Sequence, residues 1–171
     1  MSEYPGHLVP AFKTEWGWGG LRILLGWLFL WAFLDKLFGL GYATQSGHGW
    51  INGFSPTEGY LKYGSSGLLE GFYHSIAGNA VVDVIFMLAL LALGVALILG
   101  IGMRLAFYGG TLLMLLLWSS NIPPANNPII DDHIIYIFAL FVLERVQAGQ
   151  YLGCGKRWGE MGIVKRFPIL A

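Results

Sequence analysis

An aspartate and a lysine stand side by side at Asp35-Lys36, inside a run otherwise built from Leu, Phe, Trp, Ala and Gly. Ionisable groups in such surroundings are costly, so they face the interior of a helix bundle, pair with one another or mark a functional site. A second group follows at Asp131-Asp132-His133, with Tyr136 one helical turn beyond Asp132, and His48, Glu70 and His74 lie in between. On a helix Asp132 and Tyr136 share a face with Ala139 and Leu143, which makes one polar stripe directed into a bundle. A carboxylate, an imidazole and a phenol on one stripe can hydrogen-bond a quinone head group and exchange protons with it. The stripe serves equally well as a helix-to-helix hydrogen-bond network. Lys36 is the group that attracts an anion. Asp35 also reads as its neutralising neighbour, and Asp83 and Asp131 read as acids at helix N-termini, where the macrodipole favours negative charge.

Other chemistries are disfavoured. Axial ligation of heme needs two imidazoles held opposite each other by rigid elements, and of His48, His74 and His133 only the last lies on a membrane helix. The sequence has no metal-ligand spacing, phosphate loop or nucleophile elbow. A single cysteine, Cys154, excludes an internal disulfide and a CxxC relay. Ten acidic and ten basic residues cancel, so nothing favours nucleic acid as a partner. Arg22, Arg104, Glu144 and Arg145 gather at the opposite end from the candidate site, where an ion pair from Glu144 to Arg22 or Arg104 is the plain reading.

The elements that position these residues follow from the apolar pattern. The chain has 171 residues, 56% of them hydrophobic and 12% charged, and a mean hydropathy of +0.61. That balance predicts an all-α membrane protein, because a lipid-exposed backbone must satisfy its own hydrogen bonds and no alternating strand pattern is present. Four stretches approach the ~20 residues needed to cross a bilayer core, at about 20–42, 80–102, 105–122 and 132–151. They predict a single domain, a four-transmembrane-helix bundle. The second and third are joined so tightly, by Gly102-Met103-Arg104, that they must form an antiparallel hairpin. Residues 43–79 form the outer connection: Ser55-Pro56-Thr57-Glu58 has the form of a helix start, a short helix is predicted through Tyr60 to Tyr63, and a second, amphipathic one at 66–77 should lie in the interface as a lid. Asn127 is predicted to cap the fourth long helix and Pro128 to open it.

Eight of the ten basic residues, Lys13, Arg22, Arg104, Arg145, Lys156, Arg157, Lys165 and Arg166, fall on one side. The positive-inside rule then places both termini in the cytoplasm and the protein in the cell membrane. Trp16, Trp18, Trp118 and Trp158 sit near the expected boundaries, whereas Trp27 and Trp31 lie deeper and are expected between helices. The first twenty residues, with Glu3, Pro5, Pro10 and Glu15, lack the apolar core of a cleavable signal peptide.

With Arg22 and Gly26, Leu34-Asp35-Lys36-Leu37, the Gly94 to Arg104 hairpin, and Asn126-Asn127-Pro128 leading into Asp131-Asp132-His133, the chain resembles the DoxX/DoxD family of small four-helix membrane proteins over about 15–155. The resemblance to the DoxD branch, the membrane subunit of thiosulfate:quinone oxidoreductase, implies quinone reduction coupled to oxidation of thiosulfate to tetrathionate. It also implies a partner subunit, DoxA, to which no part of this chain is similar. Other members resemble membrane scaffolds with no chemistry of their own. On the first reading Asp132, His133 and Lys36 are the catalytic candidates, Tyr136, Asp35 and His74 contact the quinone, and Lys36 favours a small anionic sulfur substrate. Asp35, Lys36, Asp132 and His133 should then converge on one cleft that opens towards lipid, with Lys36 turned to the fourth helix and Asp35 meeting a donor from the outer connection. On the second reading the chain is a structural or assembly subunit of a larger membrane complex, its 25 glycines allowing close helix packing.

Overall fold

The structure, a computed structural model, describes residues 14–125 and 127–171. Lys13, the first residues up to Pro10 and Asn126 lie outside the described residues. Among those described the chain is all helical: α1 (Thr14–Phe38), α2 (Glu70–Ser75), α3 (Ala80–Leu99), α4 (Met103–Ser119), α5 (Asp132–Arg145), α6 (Gly155–Glu160) and α7 (Gly162–Arg166), with short 3-10 turns and one π-helical turn at Tyr60–Gly64. Of these α3 is the helix long and apolar enough to cross a membrane; α4 is apolar, though less so, and shorter, at 17 residues.

Two helix pairs make the body, α1 on α3 and α4 on α5, and the α3–α4 hairpin joins them. The α1–α3 contact is close because glycines face backbone across it. A Cβ on Gly26 would stand 2.8 Å from the Ile98 nitrogen, and one on Gly94 would stand 2.8 Å from the Leu30 nitrogen. The paired numbers fall on one side as they rise on the other, so the helices run antiparallel. Phe29, Leu90, Leu93 and Leu97 fill this seam, and Leu113, Met114, Leu140 and Leu143 extend the core through α4 and α5. Large apolar side chains also face outward on every long helix, among them Leu24 and Trp27 on α1, Val81, Ile85 and Leu88 on α3, Leu112 on α4 and Phe138 on α5. Trp27 is therefore on the outside, its ring 5.9 Å from that of Trp31 and tilted by 37°, and not between helices as its depth in the sequence suggests.

The helix ends differ from the expected ones for identifiable reasons. α1 stops at Phe38, before residue 42, because Gly39 takes φ +66° and its N–H closes on the Asp35 carbonyl at 2.8 Å. α3 stops at Gly100, φ +72°, where a Cβ would collide with the Gly149 backbone. α5 ends at Arg145, not 151, because the following chain turns back to meet Arg22. At its start Asn127 accepts from Ile129 and Ile130 N–H at 3.0 and 3.1 Å, a local turn, and Asp131 is the cap, accepting from His133 N–H at 3.0 Å and Ile134 N–H at 3.4 Å.

In the outer connection the expected helix at 66–77 shrinks to α2. Ser66 and Leu68 give their N–H groups to the Ser120 and Ile122 carbonyls, at 2.9 and 3.0 Å, so this stretch is committed to the end of α4. Ser55 does cap the preceding turn, its hydroxyl oxygen accepting from Glu58 N–H at 3.0 Å.

Candidate functional site

A cavity of about 560 Å³ lies between α3 and α4 under the outer connection. Val82, Ile85, Phe86 and Ala89 form one wall and Gly109, Leu112, Leu113, Leu116 and Leu117 the other. Pro56, Thr57, Tyr60, Leu61, Phe72, Tyr73 and Ile76 roof it. Ile85 and Leu112, on its rim, are 63% and 61% exposed, so the cleft opens sideways through the face of the bundle. The volume falls in the ~300–1,000 Å³ range of small-molecule sites. Lys36 from α1 and His133 from α5 also line it, and among the described lining residues there is no carboxylate.

Polar groups hold the roof to the walls. The Asp83 carboxylate, buried in the first turn of α3, accepts from the Ser55 and Thr57 hydroxyls at 2.8 and 2.5 Å. Tyr73 donates its hydroxyl hydrogen to the Leu116 carbonyl at 2.8 Å and lies 2.5 Å from the Ser119 hydroxyl, while the Tyr60 hydroxyl sits 2.8 Å from that of Ser120. Asp83 is thus a clamp as well as a helix-end acid.

The six candidate residues do not all meet. Lys36 and His133 share the cleft, and the Lys36 ammonium stands 6.0 Å from the centre of the Phe86 ring. Asp35 is buried and turned away, its carboxylate accepting from Thr44 N–H at 2.7 Å and Tyr42 N–H at 3.3 Å. One donor, Thr44, comes from the outer connection and the other, Tyr42, from just before it, and together they make Asp35 the knot of a tight loop. Asp132 is exposed and does not line the cleft, because α5 starts at that residue and directs it outwards. Tyr136 packs against the hydrophobic core without reaching the cavity lining. His74 lies outside, 3.8 Å from Glu70 one turn earlier on α2.

Asp131 is the residue the polar-stripe reasoning passes over. Its Oδ2 lies 2.8 Å from Nδ1 of His133 while its Oδ1 caps the helix. A carboxylate on Nδ1 places the proton there, so neutral His133 keeps Nε2 as an acceptor and protonated His133 makes it a donor. The signal was present in the sequence, since a cap residue and the residue two beyond it face each other across the first turn. Partial burial pushes the Asp131 carboxyl up, but the hydrogen bond from the His133 ring, the N–H of Ile134 and His133 and the imidazole's charge outweigh it and hold it below the ordinary carboxylate value. A group depressed on folding stabilises the folded state above its unfolded pKa of ~3.9, and that stabilisation is lost as pH falls through the folded value. The first turn of α5 should therefore loosen in acid below about pH 4. Amide exchange of His133 and Ile134 against pH should show this step in the wild type and lack it in Asp131→Asn.

At the other end of α3, Arg22 is fully buried. It donates to five carbonyls: Leu97, Ile98 at 2.9 Å, Ala148 at 3.1 Å, Tyr151 at 2.9 Å and Leu152 at 3.1 Å. Glu144 pairs with Arg104 at 3.4 Å and Arg145 at 3.5 Å. The expected alternative partner, Arg22, is occupied by backbone because two of those carbonyls belong to the last turn of α3, where no helical N–H is available. Among the described residues no group of three or more His, Cys, Asp or Glu comes together to hold a metal ion.

No family model, curated protein or solved structure matches this chain.

Proposed function

We propose that the chain is a four-span bundle in the cell membrane, with both termini cytoplasmic, and that the α3–α4 cleft holds the head of a membrane quinone. The observation that carries this reading is the cleft itself: apolar walls, a mouth on an outward apolar face, and one lysine and one tethered histidine inside. Outward-facing Leu, Ile, Val and Phe on all four long helices support the membrane placement, because a water-exposed surface seldom carries so continuous an apolar face. A bound quinone would supply two-electron, two-proton acceptor chemistry. Lys36 donates to a carbonyl oxygen of the head group, and His133, oriented by Asp131, passes a proton through Nε2.

The resemblance to the DoxD branch supplies the electron donor in this reading. Two thiosulfate ions join to give tetrathionate and two electrons, which with two protons convert quinone to quinol, and a partner subunit shares the sulfur chemistry. A non-catalytic assembly role in a larger membrane complex is the second reading. It is favoured by the dispersal of the polar set, with Asp35 tying a loop, Asp132 exposed and His74 on the outer surface. Thiosulfate-dependent quinone reduction by the purified complex supports the first; a chain that co-purifies with respiratory subunits and shows no such turnover supports the second.

Gly109 allows the cleft to be tested directly. It lines the cavity, and a Cβ built on it meets nothing within 4 Å. Gly109→Trp should fill the cleft without disturbing the helix, where losing a glycine is favourable by up to ~1 kcal/mol. A short-chain quinone analogue should then fail to bind in equilibrium dialysis, with the thermal midpoint unchanged or raised. Lys36→Met should weaken the same binding about ten- to a hundredfold, the value of one charge-assisted hydrogen bond. It should leave the fold intact, because the Asp35 carboxylate is already met by two backbone N–H groups. Unchanged affinity in both variants removes the quinone from this cleft.

A further inference from the structure

The C-terminal arm, residues 155–171, combines two properties that neither water nor hydrocarbon alone would favour. It carries Lys156, Arg157, Lys165 and Arg166 against a single acid, Glu160, in a chain whose ten basic and ten acidic residues cancel only when the arm is included. All four cations are exposed. Beside them stand Met161, Ile163, Phe167 and Ile169, each about half exposed. Ile163 and Phe167 are four apart across the end of α7, so they rise from one face, and the Arg166 guanidinium lies 5.6 Å from the Phe167 ring.

The arm is seated on the bundle by other groups. Val164 is buried, and Arg104 donates from its guanidinium to the Pro168 carbonyl at 3.1 Å and from its backbone N–H to the Ala171 carbonyl at 2.9 Å, while within the arm Trp158 donates its indole N–H to the Leu170 carbonyl at 2.5 Å. Because these contacts turn one side of the arm towards the protein, the exposed cations and apolar side chains make up its other side. We infer that this outer side lies on an anionic phospholipid surface, with the four cations at the head-group level and Ile163 and Phe167 in the acyl boundary. The inference rests on the membrane placement proposed above. Charge complementarity selects the occupant: an anionic leaflet attracts clustered Lys and Arg within a Debye length, and apolar residues beside them bury in the same interface.

The full chain in nanodiscs of phosphatidylcholine alone, or of phosphatidylcholine with phosphatidylglycerol, tests it by amide exchange over residues 155–170. Exchange should slow roughly tenfold or more in the anionic discs, and high salt should reverse this. The variant Lys156→Gln, Arg157→Gln, Lys165→Gln, Arg166→Gln should lose the difference between the two lipids. Ile163→Ser with Phe167→Ser should reduce protection even at low salt. A chain that remains inserted but shows equal exchange in both lipids overturns the inference and leaves the membrane placement standing, and protection that appears only with a soluble protein added overturns it in favour of a protein partner. A chain that cannot be reconstituted and is extracted from native membranes by alkaline carbonate overturns both.

Discussion

Replacing Arg22 by Met should cost the fold on the order of 3–5 kcal/mol, a large part of the ~5–15 kcal/mol that a domain of this size has in total. The guanidinium joins three separated pieces of chain, α1, the end of α3 and residues 148–152, through five carbonyls, and it does so with no exposure to solvent. Methionine fills a similar volume and donates nothing, so each carbonyl that relies on Arg22 is left buried without a donor. Arg22→Lys should lie between the two, since a compact ammonium with three hydrogens cannot span the same set of acceptors as a planar fork. Thermal unfolding of the purified protein, with the yield of folded protein, should rank wild type above Arg22→Lys above Arg22→Met. A methionine variant as stable as wild type would show that these carbonyls have another source of hydrogen bonds.

Gly94→Leu should be the next most damaging change, at or above the upper end of the ~1–3 kcal/mol typical of overpacking. Even a single Cβ at this position stands 2.8 to 2.9 Å from the Leu30 nitrogen, Cα and Cβ. The opposing atoms are mostly backbone, which cannot swing aside as a side chain can, so α1 and α3 must separate along their whole seam. Gly94→Ala should already lower the thermal midpoint, whereas Gly109→Ala, on open space, should not. Equal effects at the two glycines would mean that helix propensity, not close approach, decides.

The long helices were legible in the sequence because their apolar runs carry few charged residues, while polar and turn-forming residues separate one run from the next. Their ends were less so, and α5 shows why. The apolar pattern continues to Tyr151, yet the helix stops at Arg145 because Arg22, more than a hundred residues earlier, takes the carbonyls of Ala148, Tyr151 and Leu152. A backbone acceptor leaves no mark in the residue types, so a sequence reading gives a buried arginine the nearest acidic side chain instead. Asp35 illustrates the same blindness from the acceptor side, with two backbone N–H partners that no pattern announces.

The candidate site was legible as a list of titratable residues and illegible as a place. Lys36 and His133 belong to helices that the apolar pattern finds, and both line one cavity. The cavity is the space left by α3, α4 and the outer connection, and the one sequence candidate from those elements, His74, does not line it. Its roof is held through Tyr60 and Tyr73 to Ser119 and Ser120, residues separated by roughly 46 to 60 positions and individually unremarkable. Tertiary context assigns those hydroxyls their partners.

The fastened roof and the side-facing mouth together bear on what decides whether the cleft is filled. The end of the cavity nearest the outer loops is shut by tyrosine, serine and threonine hydroxyls, and its opening passes Ile85 and Leu112. With the bundle in a bilayer, as proposed, a guest would come from among the lipids and would never need to cross water. Occupancy would then follow the guest's mole fraction in the membrane, and diluting the vesicles in buffer would leave it unchanged.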